Sequence, residues 1–285
     1  MPPDMWEISS TASKAYRLLT LLLLILGALA MMLPFWVMLV TSLLSNVEIF
    51  NYPPRLFPGV FHWENYQRLF EAAPMGLYFL NSLFVSGVTT VFHVLFAAMA
   101  GYAFSRMRFP YRNALFLICL VTMMVPPQVN IVPLFFLMKS FGWLDTYWAL
   151  IVPGLFGAFG VFMLRQWFNA LPRDLEDAAI MDGCNPWQTF WHIALPLAKP
   201  ALAALSIFVF INAWNSFMWP LIATNSPELM VLPVGIAALK SSFRDATDWS
   251  VLMAASSLST IPVVIVFILG QRHFIAGILS GGVKE

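Results

Sequence analysis

The sequence predicts an all-α integral membrane protein with six transmembrane helices. Three observations carry this prediction. The 285 residues are 60% hydrophobic and only 10% charged, whereas soluble domains run near 25% charged. The apolar residues gather into six runs, at about 18–44, 75–104, 114–138, 148–164, 201–222 and 251–269, of a length suited to a bilayer that needs about 20 residues per helix. All 15 Lys and Arg and all 14 Asp and Glu fall outside those runs. No fixed-period repeat or low-complexity segment divides the chain, so a single transmembrane domain over 1–285 is expected.

Residues 1–17 are polar and carry Lys14 and Arg17 just before the first apolar run. That run opens like a secretory signal, with Ala28-Leu29-Ala30 as a cleavage-like site. It continues well past that site, so an uncleaved first span is expected. The loop from Ser45 to Pro74 has prolines at 53, 54, 58 and 74, and its segment Phe61 to Tyr66 is amphipathic and interfacial in character.

The second span, from Met75, holds Asn81 and His93 without a formal charge. A lone His in a bundle more often packs with a hydrogen bond than titrates in a transport step. Arg106, Arg108 and Arg112 mark the next loop. The third span is interrupted by Val125-Pro126-Pro127-Gln128 and Pro133. Adjacent prolines remove backbone donors and kink or unwind a helix, and at membrane depth the freed carbonyls must face protein or a cavity. Such a break lines a path, packs on a partner or is a plain packing kink. In the fourth span, Gly154, Gly157 and Gly160 repeat every third residue and permit close helix contact. The fifth span follows the longest polar interruption, residues 171–197. Thr224 to Ser250 reads as a polar loop, and the sixth span precedes a short tail from Gln271.

The net charge of +1 and the lack of a basic tail give no hint of nucleic acid. Cys119 lies in an apolar span and Cys184 in a polar loop, so a disulfide between them is not expected, and no Cys/His spacing resembles a metal site. Coupled carriers commonly use carboxylates buried in the membrane, and the spans have none. A phosphate-binding G-x-x-x-x-G-K-[ST] loop is missing as well. The chain is therefore expected to be no enzyme, to need no cofactor, and to draw its driving energy from elsewhere. The acidic cluster Asp174, Glu176, Asp177 and Asp182 leaves one rival: Mg²⁺ binding in a lipid-phosphate transferase. That loop has no basic phosphate cradle beside the acids.

The interruption LPRDLEDAAIMDGCNPWQTFWHIALPL reads as two short helices joined by a sharp turn. Asp174 is placed to N-cap the first, with Asp177 as the reciprocal partner. Gly183 suits the left-handed residue that stops it. Asn185 caps the second, with Pro186 at its first position, and Pro196 is expected to close it. In shape this is either a docking element or an amphipathic connector in the headgroups.

The residue pattern Asp177-Ala178-Ala179, then Gly183, Ile193 and Leu195-Pro196, resembles the EAA loop of the membrane subunits of ABC importers, with Asp177, preceded by Glu176, where the family has Glu. The resemblance implies that Glu176, Asp177, Ala178, Ala179, Asp182, Gly183, Ile193, Leu195 and Pro196 form a coupling loop seated in an ATP-hydrolysing partner. Further stretches resemble carbohydrate-type permeases of the maltose second-subunit kind. They are Asn212 to Leu221, Met124 to Gln128, Leu144 to Tyr147, Leu232 to Gly235 and the ending from Gln271 to Lys284. The implied fold is that of a type I importer permease. The implied partners are a second homologous permease subunit, an ABC ATPase dimer, an extracytoplasmic solute-binding protein and membrane lipid. A sugar is the expected solute, with glycerol 3-phosphate as the alternative.

Orientation follows from the basic residues. One side, with both termini and 171–197, carries ten Lys and Arg, and the other carries five. The positive-inside rule places the first side, with both termini, in the cytoplasm, and the family resemblance implies the cytoplasmic (inner) membrane of a bacterial or archaeal cell. Candidate path residues are Gln128 and Asn130 at the third-span break, with Asn212, Asn215 and Trp219 on the fifth span. Amides and aromatic faces suit sugars. Hydrogen bonds between helices and an interfacial aromatic belt account for the same residues.

Overall fold

The computed structural model describes residues 10–53, 55–242 and 247–282. The polar segment through Ser9, Pro54, part of the loop before the last span (243–246) and the closing residues 283–285 lie outside the described residues. Among the described residues all regular structure is helical: α1 (Ser10–Ser42), α2 (Asn46–Ile49), α3 (Glu64–Ala72), α4 (Met75–Arg106), α5 (Arg112–Val121), α6 (Ile131–Ser140), α7 (Tyr147–Ile151), α8 (Ala158–Ala170), α9 (Asp174–Met181), α10 (Pro186–Thr189), α11 (Leu195–Leu197), α12 (Lys199–Trp214), α13 (Met218–Ala223), α14 (Leu232–Ser242) and α15 (Trp249–Gly282). Four stretches are long and apolar enough to cross a membrane: Tyr16–Ser42, Met75–Arg106, Tyr147–Ala170 and Trp249–Gln271. Two strongly bent pairs, Arg112–Met124 with Pro127–Ser140 and Pro186–Leu197 with Lys199–Trp214, raise the number to six when each counts as one span.

The chain divides into two compact units. The first comprises 1–72 and 242–258. In it the segment Phe61 to Tyr66 leads into α3, which begins at Glu64 and is pinned by its polar face. Buried Asn65 donates through Nδ2 to the carbonyls of Ser42 and Leu44, at 3.0 and 2.9 Å, so the last carbonyls of α1 are not left bare. Arg68 pairs with Asp248, whose other oxygen accepts from the Val251 amide and caps the start of α15.

The second unit comprises 73–241 and 259–285 and is built on α4. α8 and α12 pack along it because the facing residues are small. A Cβ at Gly160 would sit 2.9 Å from Ala97 Cβ, and one at Gly101 would sit 2.9 Å from the Arg165 backbone nitrogen. Close approach is the main source of helix adhesion where lipid is as apolar as the side chains. His93 lies in the same seam and donates from Nδ1 to the Gly154 carbonyl at 2.8 Å. It is the packing histidine of the bland sequence reading.

Two loop motifs act as clasps in this unit. Asn81 donates to the carbonyls of Glu228 and Met230, at 2.8 and 3.0 Å, and accepts from the Tyr147 hydroxyl at 2.8 Å. The Asp145 carboxylate accepts from the backbone of Asn225 and Ser226 and from the Ser226 hydroxyl. These donors hold its pKa below the usual carboxylate value.

Several elements depart from the sequence expectation. The fourth span breaks after Gly154 and restarts at Ala158, and the fifth breaks between Trp214 and Met218. The loop read as polar contains α14, whose Leu232, Val234 and Leu239 are buried. The tail from Gln271 continues α15 as helix to Gly282. Charge at the ends of residues 224–250 masked the apolar stretch from Leu232 to Leu239, which is too short to read as a span. Replacing Gly160 with Val should overpack the α4–α8 seam and cost about 1–3 kcal/mol. Thermal unfolding of the detergent-solubilised protein measures this, with Ala97→Gly in the same chain expected to recover part of the loss.

Candidate functional site: an anchored loop and a polar cavity

The loop 171–197 folds as two helical pieces joined by a Schellman turn. α9 ends where Gly183 takes φ +86°. The Gly183 amide bonds the Ile180 carbonyl at 3.0 Å, and the Cys184 amide bonds the Ala179 carbonyl at 2.9 Å. No atom lies within 4 Å of where a Gly183 Cβ would be, so the demand for glycine is conformational and not a matter of space. The second piece starts as expected, with Pro186 at the first position and a capping box between Asn185 and Gln188.

Two local expectations fail. Arg173, not Asp174, occupies the N-cap position of α9, and no side chain caps it. Asp174, Glu176 and Asp177 fall in the first helical turn, where negative charge opposes the helix dipole favourably. Pro196 does not close the second piece. The chain passes through it with a wide π turn at Phe190–Ala194, and the Leu195 amide reaches back to the Phe190 carbonyl. The proline ring crowds the carbonyl four residues back, and a widened turn relieves that crowding. The path then bends by 76° into α12.

The loop is fixed through its second piece and bare on the outer face of its first. Phe190, Ala194 and Ala198 are buried with Tyr102, Leu164, Phe168 and Leu205, and the Phe190 ring lies 5.2 Å from that of Tyr102. Of the residues singled out in sequence, Ala179 is buried, and Ile193 and Leu195 are half-buried. Asp177, Ala178, Asp182, Gly183 and Pro196 are exposed. Exposed apolar side chains accompany them: Leu175, Ile180 and Met181, the last 87% exposed.

Glu176 turns inward. Its Oε1 lies 3.1 Å from Arg106 Nε, with the two side chains 15% and 6% exposed. The contact is an ion pair without an aligned hydrogen bond at either atom. The guanidinium Nη2 donates to the carbonyls of Phe168 and Leu171, at 2.5 and 2.6 Å. One cation at the end of α4 thus ties together the end of α8 and the first turn of α9. Burial raises the Glu176 pKa, and Arg106 opposes that shift. Sequence reasoning counted Arg106 only as a loop charge. Its position in the last turn of an otherwise uncharged span was the available signal.

The candidate path residues separate as well. An open cavity of about 880 Å³ is lined by Gln128, Asn212 and Trp219, with His93, Thr89 and Ser216. It joins the third-span break, residues 152–157 and the fifth-span break. Asn130 and Asn215 are not among its lining residues. Asn212 and Asn215 each donate to the carbonyl four residues back in their own helix. The Trp219 indole donates to the Ala149 carbonyl at 2.8 Å, leaving its ring as the surface offered to the cavity. Trp214 of the same signature is structural: it is buried and donates to the Ser259 carbonyl at 3.0 Å.

A helical membrane subunit with broken spans around a largely apolar cavity that carries a few polar side chains, and a firmly anchored loop bare on one face, has the build of a transport-system permease. The chain belongs to the family described as binding-protein-dependent transport system inner membrane component, whose model matches residues 93–280. It is 36% identical to the arabinooligosaccharides transport system permease protein AraQ of Bacillus subtilis, over 94% of this chain and 96% of that protein. It is 35% identical to the sn-glycerol-3-phosphate transport system permease protein UgpE of Yersinia enterocolitica, over 90% and 94%. A chain from the crystal structure of a bacterial ABC transporter involved in the import of the acidic polysaccharide alginate has the same fold. Its TM-score is 0.83 at 24% identity, over 94% of this chain and 99% of that one.

Removing the Arg106 charge, as in Arg106→Gln, leaves Glu176 buried without its cation and should cost about 3–5 kcal/mol. Replacing both, as in Arg106→Met with Glu176→Leu, should cost much less. Thermal unfolding of the three variants in detergent makes the comparison.

Proposed function

We propose that this chain forms one half of the membrane pathway of an ATP-driven importer for a neutral mono- or oligosaccharide. The observation that carries the solute class is the cavity lining. Among the described residues no Asp, Glu, Lys or Arg lines it. The walls offer amides, hydroxyls, an imidazole and aromatic rings, which suit the hydroxyls and C–H faces of an uncharged sugar. A phosphorylated solute such as glycerol 3-phosphate would want a cation there. The family membership and the AraQ likeness agree with this reading. A second homologous permease subunit would complete the path, and a solute-binding protein outside would deliver the sugar.

The chain itself catalyses nothing in this reading. An ABC ATPase dimer docks on the exposed face of α9, formed by Leu175, Ala178, Met181 and Asp182, with Asp177 as the charged contact. Both termini and the loop 171–197 then lie in the cytoplasm, in keeping with the basic-residue bias. ATP-driven closure of the dimer pushes α9. The Arg106–Glu176 pair and the buried second piece pass that push to α4, α8 and α12. Only a difference in ATP affinity between the two states can drive the cycle. The lipid-phosphate transferase reading is weakened by the directions of its acids. Glu176 turns to Arg106, whereas Asp174 and Asp182 point out.

Uptake of labelled neutral oligosaccharides into vesicles containing the complete importer tests this reading. Gln128→Ala should reduce uptake about fivefold, the worth of one neutral hydrogen bond near 1 kcal/mol, while leaving the ATPase subunits bound. Gly183→Leu should instead release the ATPase subunits and abolish uptake with them. Uptake of glycerol 3-phosphate in preference to any neutral sugar would overturn the solute class. Gly183→Leu with full ATPase binding and uptake would overturn the docking role.

A further inference from the structure

The polar cavity beside α9 carries more positive charge than its own carboxylates use. It measures about 750 Å³, and its lining includes Arg106, Arg108, Arg112 and Arg173 with Glu176 and Asp177. Arg106 is spent on Glu176 and two backbone carbonyls. Arg112 gives one donor to the Met107 carbonyl at 3.1 Å. Among the described residues the side chains of Arg108 and Arg173 take part in no ion pair or hydrogen bond, although the Arg173 carbonyl accepts from the Glu176 and Asp177 amides and its charge acts on Glu176; Asp177 takes part in none of the ion pairs. Two complete guanidinium forks and most of a third therefore line one concavity. That donor set is matched in geometry to phosphate oxygens.

The surroundings distinguish a lipid phosphate from a free one. The arginines stand where apolar helix surface gives way to loop. Arg112 is the first residue of α5, and Leu115 and Ile118 below it are 47% and 62% exposed. Phe109 lines the same cavity, as does Tyr111, which is 82% exposed. Aromatic rings of this kind sit at headgroup depth. Tyr111 is also held at φ +60°, a left-handed conformation that a bulky residue rarely adopts, at the turn between α4 and α5.

We propose that this cavity is a binding site for the phosphodiester headgroup of an anionic phospholipid. Arg108 and Arg173 grip the phosphate, and the acyl chains run along the exposed Leu115 and Ile118 of α5. Arg173 directly precedes α9, and Asp177 and Ile180 of that helix share the cavity wall. A bound lipid therefore braces the first turn of the docking helix from the membrane side.

The test uses the complete importer, this chain with its partner subunits, in nanodiscs of phosphatidylcholine titrated with phosphatidylglycerol, with bound lipid read by native mass spectrometry. Retention of phosphatidylglycerol is expected. Its affinity should fall about fivefold with Arg108→Gln and again with Arg173→Gln, while the Lys replacements, which keep the charge and lose the fork, should fall between wild type and Gln. Inorganic phosphate at matched concentration should not displace it. Equal retention by the double Gln variant overturns the site. Displacement by inorganic phosphate overturns the lipid as ligand and assigns the arginines to a soluble phosphate. No retention by the complete importer also overturns the proposal and makes the cavity a protein-docking surface.

Discussion

The close approach of α4 and α8 is the constraint on which the second unit depends. In a bilayer, helices gain little from hiding apolar side chains from one another, so contact distance does what hydrophobicity does in water. Gly101 from one helix and Gly157 and Gly160 from the other, with Ala97, bring the backbones together. That proximity lets Arg106 reach the carbonyls at the end of α8. It also lets His93 reach the Gly154 carbonyl, where α7 and its following turn end and no helix continues to use that oxygen.

Seen from this seam, the loop 171–197 is not a flexible tether. Its second piece belongs to the same apolar cluster as α4, α8 and α12. Its first piece is held by a buried ion pair and a glycine turn. The loop therefore divides its residues by face. Glu176 and Ala179, three residues apart, look inward, and the residues between and after them look out. A buried pair such as Arg106–Glu176 gives little net stability, because desolvation offsets the attraction. Its value is that it allows few other positions for α9.

Much of this was legible in the sequence, for stated physical reasons. Span number, the Asn185–Pro186 start and the Gly183 stop follow from hydropathy and from backbone rules that tertiary packing seldom overrides. The glycine triplet announced a tight contact before its partner was known. The N-cap of α9 was placed one residue late because Asp174 satisfies the cap preference in isolation, while the fold uses its charge and not its side-chain oxygen. The breaks in the fourth and fifth spans were not legible. Pro153 and Asn215 are tolerated inside many membrane helices, and only the neighbouring cavity explains why the helix stops at these places. Asn130 and Asn215 had the same composition signal as Gln128 and Asn212. A one-residue-resolution statement about which face they occupy needed the broken geometry.

The π turn and the bend at Ala198 have a mechanical consequence. Residues Pro186–Leu197 and α12 make two stiff arms set at 76°, each some 18–24 Å long by helical rise. The arms meet at a buried alanine, which serves as the pivot. Two arms joined rigidly at such an elbow would work as a bell crank, in which a thrust along the short arm becomes a sideways swing of the long one. The far end of the long arm carries Asn212 at the wall of the cavity, so a thrust at Trp187 passed through a rigid elbow would change the width of that cavity more than its depth.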